Sequence, residues 1–498
     1  MKNNNQIDYK GYKPTIGIEC HVQLNTLTKL FSGSLNNIKN SKPNQQVNHI
    51  DLGLPGALPV INYHAIELAV RAGFALNTRA QLFSKFDRKH YFYPDLPMGY
   101  QITQYDQPII LGGYINIKIN GKIKKIRITR AHLEADAGKS IHPVGQNYSL
   151  IDYNRAGVPL LEIVSEPDLS SALEARLYTT ELYLAMKLAG VSEANLFYGN
   201  MRFDCNVSVS KTNKLGIRTE TKNLNSFKSV EKAINAEIIR QINILEKGGR
   251  IIQETRGWNE DKQRSFTQRI KENADDYRYM PDPDLPPINL KDSWLNEVKS
   301  SMPLLADDWR QKLQSLDLTD DEINLLLKAE ADFGGVLDII NNSINQLKKA
   351  KVFANWLINF EIPFNQGIET KTNQVYLTSQ KRQKIYDQLY YYKDKNLINS
   401  TKLALLFNDL LSQPNLINDI DNYLKTNNYL QDSNQSNLIK IVNQVIIENQ
   451  KAVQDVLNGE TKVIGFLVGQ VMKLSQGQAN PQITQQLIMT EINKMKVQ

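Results

Sequence analysis

Two side chains near the start of the chain can do chemistry together: the carboxylate of Glu19 and the imidazole of His21. Side chains alternate between the two faces of a β-strand, so both point to one face while Cys20 and Val22 point to the other. A carboxylate and an imidazole converging in this way can begin a divalent-metal or acid/base site. The alternative interpretation is a half-exposed polar strand face without a ligand, and an isolated pair favours it.

Further carboxylates later in the chain favour a shared site. A stretch at 128–136 places four polar side chains on one strand face: Arg130, His132, Glu134 and Asp136. Glu162 lies inside an apolar run. Carboxylates are seldom buried unless they are paired or bound to a cation. The pattern predicts that these strands meet around a ligand.

The composition is that of an ordinary globular protein. The chain has 498 residues, of which 41% are hydrophobic and 22% charged, and this length predicts two to four domains. No stretch is long and apolar enough for a membrane span, and the N-terminus has neither a signal-peptide nor a transit-peptide pattern. We expect a cytoplasmic protein that does not contact a membrane.

Charge and cysteine content narrow the function further. The net charge of +7 permits a nucleic-acid partner without requiring one. From Leu411 onward acidic and basic residues are equal in number, so the whole excess lies before that point. Cys20 and Cys205 lie on apolar strand faces, which predicts buried free thiols rather than a disulfide or zinc site.

The order of predicted elements indicates an α+β fold. Strand candidates lie at 15–24, 114–119, 123–130, 148–154, 159–165, 202–209 and 217–223, and helix candidates at 64–77, 171–189 and 229–247. The Asn120-Gly121 pair between two alternating runs is typical of a β-hairpin. Ser171 and Glu174 have capping-box spacing. We predict a large antiparallel sheet with flanking helices.

A proline-rich stretch at 281–287 interrupts this pattern and is typical of an extended connector. Segments with helical periodicity follow it, and a polar run at 425–436 suggests a weaker linker. We therefore expect a catalytic domain at 1–294, an all-α helical domain at 295–410 and an all-α tail domain at 411–498.

Common nucleotide-binding motifs are absent from the sequence. A P-loop ending at Lys139 and Ser140 would need glycine at position 133, where the chain has Leu133, and no G-x-G-x-x-G follows a strand. The stretch 85–95 combines basic and aromatic residues, which suits phosphates and a flat base, although an aromatic strand with solvated charges explains it equally well. Polar faces on several strands together favour a cleft with both acidic and basic side chains.

Seven blocks of sequence carry a family resemblance. They are GIECHVQL (17–24), FDRKHYFYPDLP (86–97), HLEADAGKS (132–140), DYNRAGVPLLEIVSEPD (152–168), KNLNSF (222–227), DDYRYMPDPDLPP (275–287) and GFLVGQVMKLSQGQANP (465–481). In order and spacing they resemble the B subunits of bacterial aspartyl/glutamyl-tRNA amidotransferases. The resemblance covers nearly the whole chain and is least distinctive at about 295–410.

The resemblance implies an ATP-dependent amidotransferase that works within a heterotrimer. Such enzymes phosphorylate the side-chain carboxylate of mischarged Glu-tRNA(Gln) or Asp-tRNA(Asn), and ammonia then displaces the phosphate. A glutaminase A subunit supplies the ammonia through a channel, and a small C subunit helps to hold the complex. The resemblance also implies a catalytic cradle domain, a helical domain and a tail domain that contacts tRNA.

The residues at hand agree with this chemistry. Glu19, His21, Glu134 and Glu162 are the expected catalytic residues and Mg²⁺ ligands, although imidazole is softer than that ion usually prefers. The expected ATP and phosphate contacts are basic: Lys85, Arg88, Lys89, Arg130, Lys139, Arg155 and Arg202. The expected tRNA contacts lie in the tail: Lys462, Lys473, Gln478 and Asn480. A metal-dependent RNA phosphoesterase and a non-catalytic tRNA-binding scaffold remain the alternatives.

Overall fold

A computed structural model describes residues 9–39, 41–270, 277–368, 377–431, 435–475 and 479–497. It separates into two compact units, Met1–Trp309 and Arg310–Gln498. The three-domain division expected from the sequence stays a prediction, since two units do not test its boundaries. The candidate catalytic residues all lie in the first unit, and the candidate tRNA contacts lie in the second.

Sixteen described strands belong to the first unit. They are β1 (Lys13–Gln23), β2 (Phe83–Ser84), β3 (Asp87–His90), β4 (Tyr100–Thr103), β5 (Ile110–Leu111), β6 (Tyr114–Ile119), β7 (Lys122–Ala135), β8 (Lys139–Ile141), β9 (Leu150–Asp152), β10 (Pro159–Ser165), β11 (Met201–Ser210), β12 (Thr219–Leu224), β13 (Glu254–Asn259), β14 (Arg264–Ile270), β15 (Met280–Pro281) and β16 (Ile288–Asn289). Nine of them form one sheet in the order β14-β13-β12-β11-β1-β10-β7-β5, with β6 paired to the first half of β7.

The central strand β1 has the alternation that its sequence predicts. Ile18, Cys20 and Val22 are fully buried on one side, while Glu19 and His21 lie on the other. Both cysteines are buried free thiols, as expected. This alternation makes one side of the sheet a hydrophobic core and the other a polar surface.

The hairpin between β6 and β7 confirms the turn prediction. Asn120 and Gly121 both have positive φ, at 49° and 75°. Two consecutive positive φ values are what a tight two-residue hairpin turn requires, and Asn-Gly tolerates them best. The turn therefore sets the register of β7, the strand that carries His132 and Glu134.

The α+β class is confirmed, but the sheet is mixed rather than purely antiparallel. β12 and β13 pair in parallel, with Glu220 opposite Thr255, whereas the other pairings of this sheet are antiparallel. The crossover between them contains the helix Phe227–Glu246, because a parallel pair needs a long connection. The strand expected at 148–154 is also shorter, since β9 ends at Asp152 and a helical turn follows.

Four described helices complete the first unit: α1 (Tyr63–Ala75), α2 (Ala172–Leu188), α3 (Phe227–Glu246) and α4 (Asp292–Ser300). α2 packs against α3 and β6, and α3 packs against β11. Ser171 caps α2 by accepting from Glu174 N at 3.2 Å, but the Glu174 carboxylate accepts from Ser170 N rather than from Ser171 N. The expected capping box is therefore only half formed.

The proline-rich stretch is tied into the first unit. Its ends, β15 and β16, pair with β3 and β2. Between them, Asp282 and Asp284 accept hydrogen bonds from Arg88 at 2.9 and 2.7 Å. These contacts make the stretch a bound strap and not a free connector.

Helix α5 (Ala306–Leu313) spans the boundary between the two units. The remaining described helices are α6 (Asp320–Phe333), α7 (Val336–Asn341), α8 (Leu347–Trp356), α9 (Ile362–Ile368), α10 (Ser379–Asp394), α11 (Ser400–Ser412), α12 (Ile420–Thr426), α13 (Gln435–Glu448), α14 (Gln450–Leu457), α15 (Ile464–Leu474) and α16 (Pro481–Val497).

The last four helices of the second unit share a hydrophobic cluster of their own, built around Leu438, Val445, Leu467 and Ile488. Their apolar residues recur at helical spacing, which is why the segment folds as a small bundle. Among the residues that the structure describes, none of the helices is both long and apolar enough to cross a membrane.

Candidate active site

Three neighbouring strands bring four ionisable side chains together at the centre of the polar sheet face. On β1, His21 is paired directly with Glu162 of β10, and Glu162 is in turn paired with His132 of β7. Glu134 lies two residues further along β7 and so on the same face. Strand pairing alone therefore brings His21 together with residues that lie more than a hundred positions away in the sequence.

The four side chains are in mutual contact. His21 Nε2 lies 3.4 Å from Glu162 Oε2 and 3.7 Å from Glu134 Oε1. His132 Nε2 lies 3.7 Å from Glu162 Oε2 and 3.9 Å from Glu134 Oε2. Each imidazole thus faces both carboxylates, and we call these four residues the central cluster.

The surroundings shift the pKa values of the two carboxyl groups in opposite directions. Burial opposes the charge on Glu162, but the nearby imidazoles of His132 and His21 outweigh burial and hold its pKa well below its usual value. Burial and the negative charge of Glu162 raise the pKa of Glu134 to about 7. Perturbed carboxylates of this kind are typical of functional sites.

The two imidazoles also differ. Burial works against a charge on His21, but its hydrogen bond with Glu162 raises the pKa of His21 to about 9. Burial lowers the pKa of His132 to about 4. At neutral pH and without a bound cation, His21 therefore carries the positive charge that the carboxylates need, while His132 is neutral.

Three residues of the central cluster could hold a divalent metal ion. One ligand atom from each of His21, Glu134 and Glu162 lies within 4.8 Å of the others. The Nδ1 atoms of His21 and His132 are buried and have no hydrogen-bond partner among the described residues. Two carboxylates suit Mg²⁺, and the imidazole also suits softer ions.

Glu19 lies in a separate group, next to the central cluster on β1. Its Oε1 accepts from Asn206 Nδ2 at 2.8 Å, and one of its ligand atoms lies within 4.8 Å of others from Asp204 and Glu220. Lys222 Nζ lies 2.6 Å from Asp204 and 3.3 Å from Glu220. Lys222 therefore offsets part of the negative charge of these carboxylates, and the structure does not bring Glu19 into the His21 ligand set.

Burial, followed by the nearby negative charge of Glu162, raises the pKa of Glu19. Glu19 is therefore influenced electrostatically by the central cluster, although its hydrogen bond goes to Asn206. This position suits a residue that orients the site rather than one that binds the metal directly.

Two of the predicted phosphate contacts lie beside the central cluster. The positive charges of Lys89 and Arg130 both act on His132, and that of Lys89 also acts on Glu134 and Glu162. Lys89 Nζ lies 4.8 Å from the ring centroid of Tyr277, and the Arg130 guanidinium lies 5.8 Å from that of Tyr105. These two cations are well placed to meet a negatively charged substrate.

Arg155 and Arg202 both pair with Asp136, which follows Glu134 by two residues and lies just after the end of β7. Arg202 lies 3.1 Å from Asp136 Oδ1, and Arg155 lies 3.5 Å from Asp136 Oδ2. Arg155 also donates to the carbonyl oxygens of Ala137 and Gly138. The Asp136 carboxylate therefore fixes the positions of both guanidinium groups.

The other basic candidates are engaged elsewhere. Lys85 lies 2.9 Å from Asp106, and Arg88 holds the proline-rich strap on the face of β3 opposite to Lys89. Lys139 is exposed on β8. The structure thus gathers Lys89 and Arg130, and less closely Arg155 and Arg202, around the cluster, but not Lys85 or Arg88.

Sequence reasoning noted the aromatic residues at 85–95, which include Tyr91, but did not predict that rings from separate segments gather here. Tyr105 and Tyr279 stack with their ring centroids 3.9 Å apart, and Tyr277 lies edge-on to both Tyr91 and Tyr279. Tyr91 and Tyr105 flank β3 and β4, whereas the other two precede the proline-rich strap. The only available signal was the mixture of basic and aromatic residues at 85–95.

The predicted tRNA contacts of the second unit differ in environment. Lys462 and Lys473 are exposed, as a contact with RNA requires. Asn480 is 8% exposed and caps α16, because its Oδ1 accepts from the N–H groups of Gln482 and Ile483. This use within the fold argues against direct tRNA contact by Asn480. Gln478 lies outside the described residues.

Two family models match the chain. Residues 14–296 match the model described as the GatB/GatE catalytic domain, and residues 338–492 match the model described as a GatB domain. The first range contains every residue of the central cluster.

Curated relatives align over almost the full length. The chain is 42% identical to the B subunit of the aspartyl/glutamyl-tRNA(Asn/Gln) amidotransferase of Caldanaerobacter subterraneus subsp. tengcongensis, over 97% of this chain and 100% of that protein. Proteins of the same name from Thermoanaerobacter sp. (strain X514) and Bacillus velezensis are 40% and 39% identical, over 97% of this chain and 100% and 99% of theirs.

Proposed function

Since the chain belongs to the GatB/GatE family of aspartyl/glutamyl-tRNA amidotransferase B subunits, we propose that it amidates mischarged Glu-tRNA(Gln), Asp-tRNA(Asn) or both. The products are Gln-tRNA(Gln) and Asn-tRNA(Asn). This makes the chain part of a carbon–nitrogen ligase that uses glutamine as its amide donor. The observation that carries the proposal is the approach of His21, Glu134 and Glu162 ligand atoms to within 4.8 Å of one another.

A carboxylate cannot react directly with ammonia because oxide is too poor a leaving group. In the proposed reaction, a side-chain carboxylate oxygen attacks the γ-phosphorus of ATP and ADP leaves, giving an acyl phosphate. Ammonia then attacks the acyl carbon, inorganic phosphate leaves with the original carboxylate oxygen, and the proton that the nitrogen loses is taken up by that phosphate. Phosphoryl transfer of this kind depends on positioning and on neutralising charge.

The basic residues beside the central cluster supply part of that neutralisation. Lys89 and Arg130 meet the negative charge of the phosphates and of the substrate carboxylate, and their position beside Tyr277 and Tyr105 keeps them on the polar face. Arg155 and Arg202 are held by Asp136, so they need no large rearrangement to act. Fixed cations cost little reorganisation at the moment of reaction.

His21, Glu134 and Glu162 would hold a divalent cation, with Mg²⁺ as the proposed ion. When bound, the ion would supply positive charge that offsets the negative charge of the phosphates during phosphoryl transfer. His132, also on β7, contacts the carboxylates of both Glu134 and Glu162. Glu19 keeps Asn206 and the neighbouring strand in place.

The proposal includes partners because the reaction needs ammonia, which is scarce near neutral pH. We propose that a glutaminase A subunit delivers it and that a small C subunit stabilises the heterotrimer. The relatives are themselves named as one lettered component of an amidotransferase, which supports a multi-subunit assembly. Because charged tRNA and ATP are substrates, we place the reaction in the cytoplasm.

The test is direct amidation by the assembled enzyme. The purified complex is mixed with ATP, glutamine and either Glu-tRNA(Gln) or Asp-tRNA(Asn), and the amino acid released from each tRNA is identified. Formation of glutamine or asparagine on tRNA in an ATP-dependent manner is expected. Cleavage of the tRNA, or binding without amide formation, would instead indicate a phosphoesterase or a scaffold.

A further inference from the structure

The stretch of β7 that carries His132 and Glu134 has a strand on one side only. On one side, β10 pairs with β7 as far as Ala135. On the other side, β5 pairs with β7 only at Arg130 and Ala131. Beyond Ala131, no strand of the described residues pairs with this side of β7. Buried backbone groups on this edge therefore need hydrogen-bond partners of another kind.

Two glutamine side chains supply those partners. Gln104 Oε1 accepts from the backbone N–H of Leu133 at 3.0 Å. Gln101 Nε2 donates to the carbonyl oxygen of Ala135 at 2.9 Å. Gln101 lies on β4 and Gln104 follows that strand by one residue. Because Glu134 lies between Leu133 and Ala135, the two amides hold the backbone on both sides of a candidate metal ligand.

The Gln104 amide is itself fixed by the surrounding fold. The residue is 0% exposed, and its Oε1 also accepts from the backbone N–H of Ile109 at 3.2 Å. Its Nε2 donates to Ser84 Oγ at 2.6 Å, and that hydroxyl donates to the carbonyl oxygen of Gln107 at 2.8 Å. Reversing the amide would place its NH₂ group against two N–H donors, so only one orientation suits the site.

The Glu134 carboxylate depends on its backbone for its position. Its Oε1 lies 3.7 Å from His21 Nε2, and its Oε2 lies 3.9 Å from His132 Nε2. Both distances are longer than a hydrogen bond, so these contacts fix the carboxylate only loosely. Metal ligands need to be held within about 0.5 Å of the productive geometry. The two bonds to the backbone beside Glu134 therefore matter for the site.

The bond from Gln101 also places a cation beside the central cluster. Gln101 is paired directly with Lys89 across β3 and β4, and residues directly opposite each other in an antiparallel pair have their side chains on the same face. The positive charge of Lys89 acts on Glu134 and Glu162. Attachment of β4 to β7 through Gln101 therefore sets the distance between Lys89 and these carboxylates.

We propose that Gln104 and Gln101 are positioning residues for the metal site, which act by holding the backbone on both sides of Glu134. The inference rests on the proposed function, in which Glu134 binds the cation. Loss of a residue that supports a metal ligand typically lowers metal affinity about 10- to 100-fold. A purely structural role would lower the stability of the protein but leave the metal affinity of the folded form unchanged.

The test measures metal affinity directly on the assembled complex without ATP. Mn²⁺ is the probe, because it accepts the same oxygen ligands as Mg²⁺ and its free concentration is measured by electron paramagnetic resonance. The relevant site is the one that Glu134→Ala removes. We expect Gln104→Met to raise the Kd of this site about tenfold, because methionine cannot accept from the N–H of Leu133. Gln101→Met removes a single bond to the β7 backbone and should raise the Kd by a smaller factor.

Two further variants separate positioning from stability. Gln241→Met is the matched control, since Gln241 is also 0% exposed and its Nε2 donates to the carbonyl oxygen of Val207 at 3.0 Å. It lies on α3, which packs against β11. This variant should be less stable in urea but keep its Mn²⁺ affinity. Gln104→Glu keeps an oxygen acceptor for the N–H of Leu133, so it should recover most of the affinity that Gln104→Met loses.

Wild-type Mn²⁺ affinity in folded Gln104→Met and Gln101→Met would overturn the inference, as would an equal loss of affinity in Gln241→Met. If Gln104→Met does not fold, Gln101→Met decides the question alone. Amidation by the wild-type complex is measured in the same samples. A wild-type complex that amidates tRNA and binds Mn²⁺ at the site, with glutamine variants that bind it equally well, refutes the positioning role alone. A wild-type complex without a site that Glu134→Ala removes refutes the metal assignment of the proposed function and the inference with it.

Discussion

His21 and Glu162 occupy directly paired positions on neighbouring antiparallel strands, and His21 Nε2 lies 3.4 Å from Glu162 Oε2. The contact follows from strand register, with buried residues on both sides of each partner. His132 meets the same carboxylate from the next strand. Three adjacent strands therefore hold the candidate metal ligands without help from a loop, which favours precise positioning.

Replacing His21 or Glu134 with alanine should abolish amidation while the partner subunit still hydrolyses glutamine. Loss of a residue that merely supports a metal ligand typically costs about 10- to 100-fold, so loss of a ligand should cost about 100-fold or more. Amide formation and glutamine hydrolysis are measured on the same complex.

Glu166→Ala is the matched control for these two variants. Glu166 follows β10 and pairs with Thr129 at 2.8 Å, away from the central cluster. It should keep near-normal amidation. Normal amidation by His21→Ala would refute the metal-site assignment.

The isolated chain should amidate tRNA with ammonium salt but not with glutamine. We assign activation of the substrate carboxylate to the central cluster, and release of ammonia from glutamine to the proposed partner. Product formation is followed with each nitrogen source in the presence of ATP. Efficient use of glutamine by the isolated chain would contradict the assignment of glutaminase activity to a partner.

Glu237 should make the first unit sensitive to acid. Burial alone would raise its pKa, but hydrogen bonds from Arg240 and Thr219 outweigh burial and hold it below the usual value. The ionised group therefore stabilises the fold above the pKa of an unfolded glutamate, about 4.3, and that contribution is lost as pH falls through the lower folded pKa.

Glu237→Gln should lower the free energy of unfolding by about 3 kcal/mol at pH 7, and the difference from wild type should shrink at strongly acidic pH. Urea unfolding at several pH values measures both effects. Glu231→Gln, on the same helix in a partly exposed pair with Arg176, should change stability by less than about 1 kcal/mol. A deficit for Glu237→Gln that stays constant with pH would contradict the linkage.

Gly465 and Gly469 should be replaceable by alanine without loss of stability. They lie four residues apart on α15, and a Cβ built at either would meet no other described atom within 4 Å. Packing against another described helix of this chain therefore does not explain them. Alanine should stabilise the helix by roughly 1 kcal/mol at Gly469, in its interior, and by less at Gly465, in its first turn.

If the exposed glycine face of α15 contacts RNA, the same double variant should have a higher KM for tRNA, with kcat unchanged at saturation. Close approach of a nucleic-acid backbone depends on the missing side chains. Urea unfolding and amidation at varied tRNA concentration are compared. Increased stability with an unchanged KM would exclude this face as the tRNA contact.

Structural features that depend only on neighbouring residues were predicted from local patterns in the sequence. Alternation along β1 correctly separated His21 from Cys20, and Asn120-Gly121 identified the hairpin that sets β7. Helices α2 and α3 were found within two residues at each end because the apolar periodicity of both helices and the Ser171 cap of α2 are local.

Contacts between distant segments were not predictable in the same way. The parallel pairing of β12 with β13 spans helix α3, and the ion pairs of Arg88 with Asp282 and Asp284 join residues nearly two hundred positions apart. Glu19 was assigned to the metal because it shares a face with His21. Its hydrogen bond to Asn206 depends on the pairing of β1 with β11, which no single strand encodes.

The central claim is that this chain activates a side-chain carboxylate as an acyl phosphate. Misacylated tRNA is prepared with ¹⁸O in the side-chain carboxylate of its glutamate, and the complex is supplied with ATP and glutamine. The account predicts that a single ¹⁸O atom moves into inorganic phosphate for each amide formed. Amide formation with unlabelled phosphate, or with the label recovered in AMP, would contradict it.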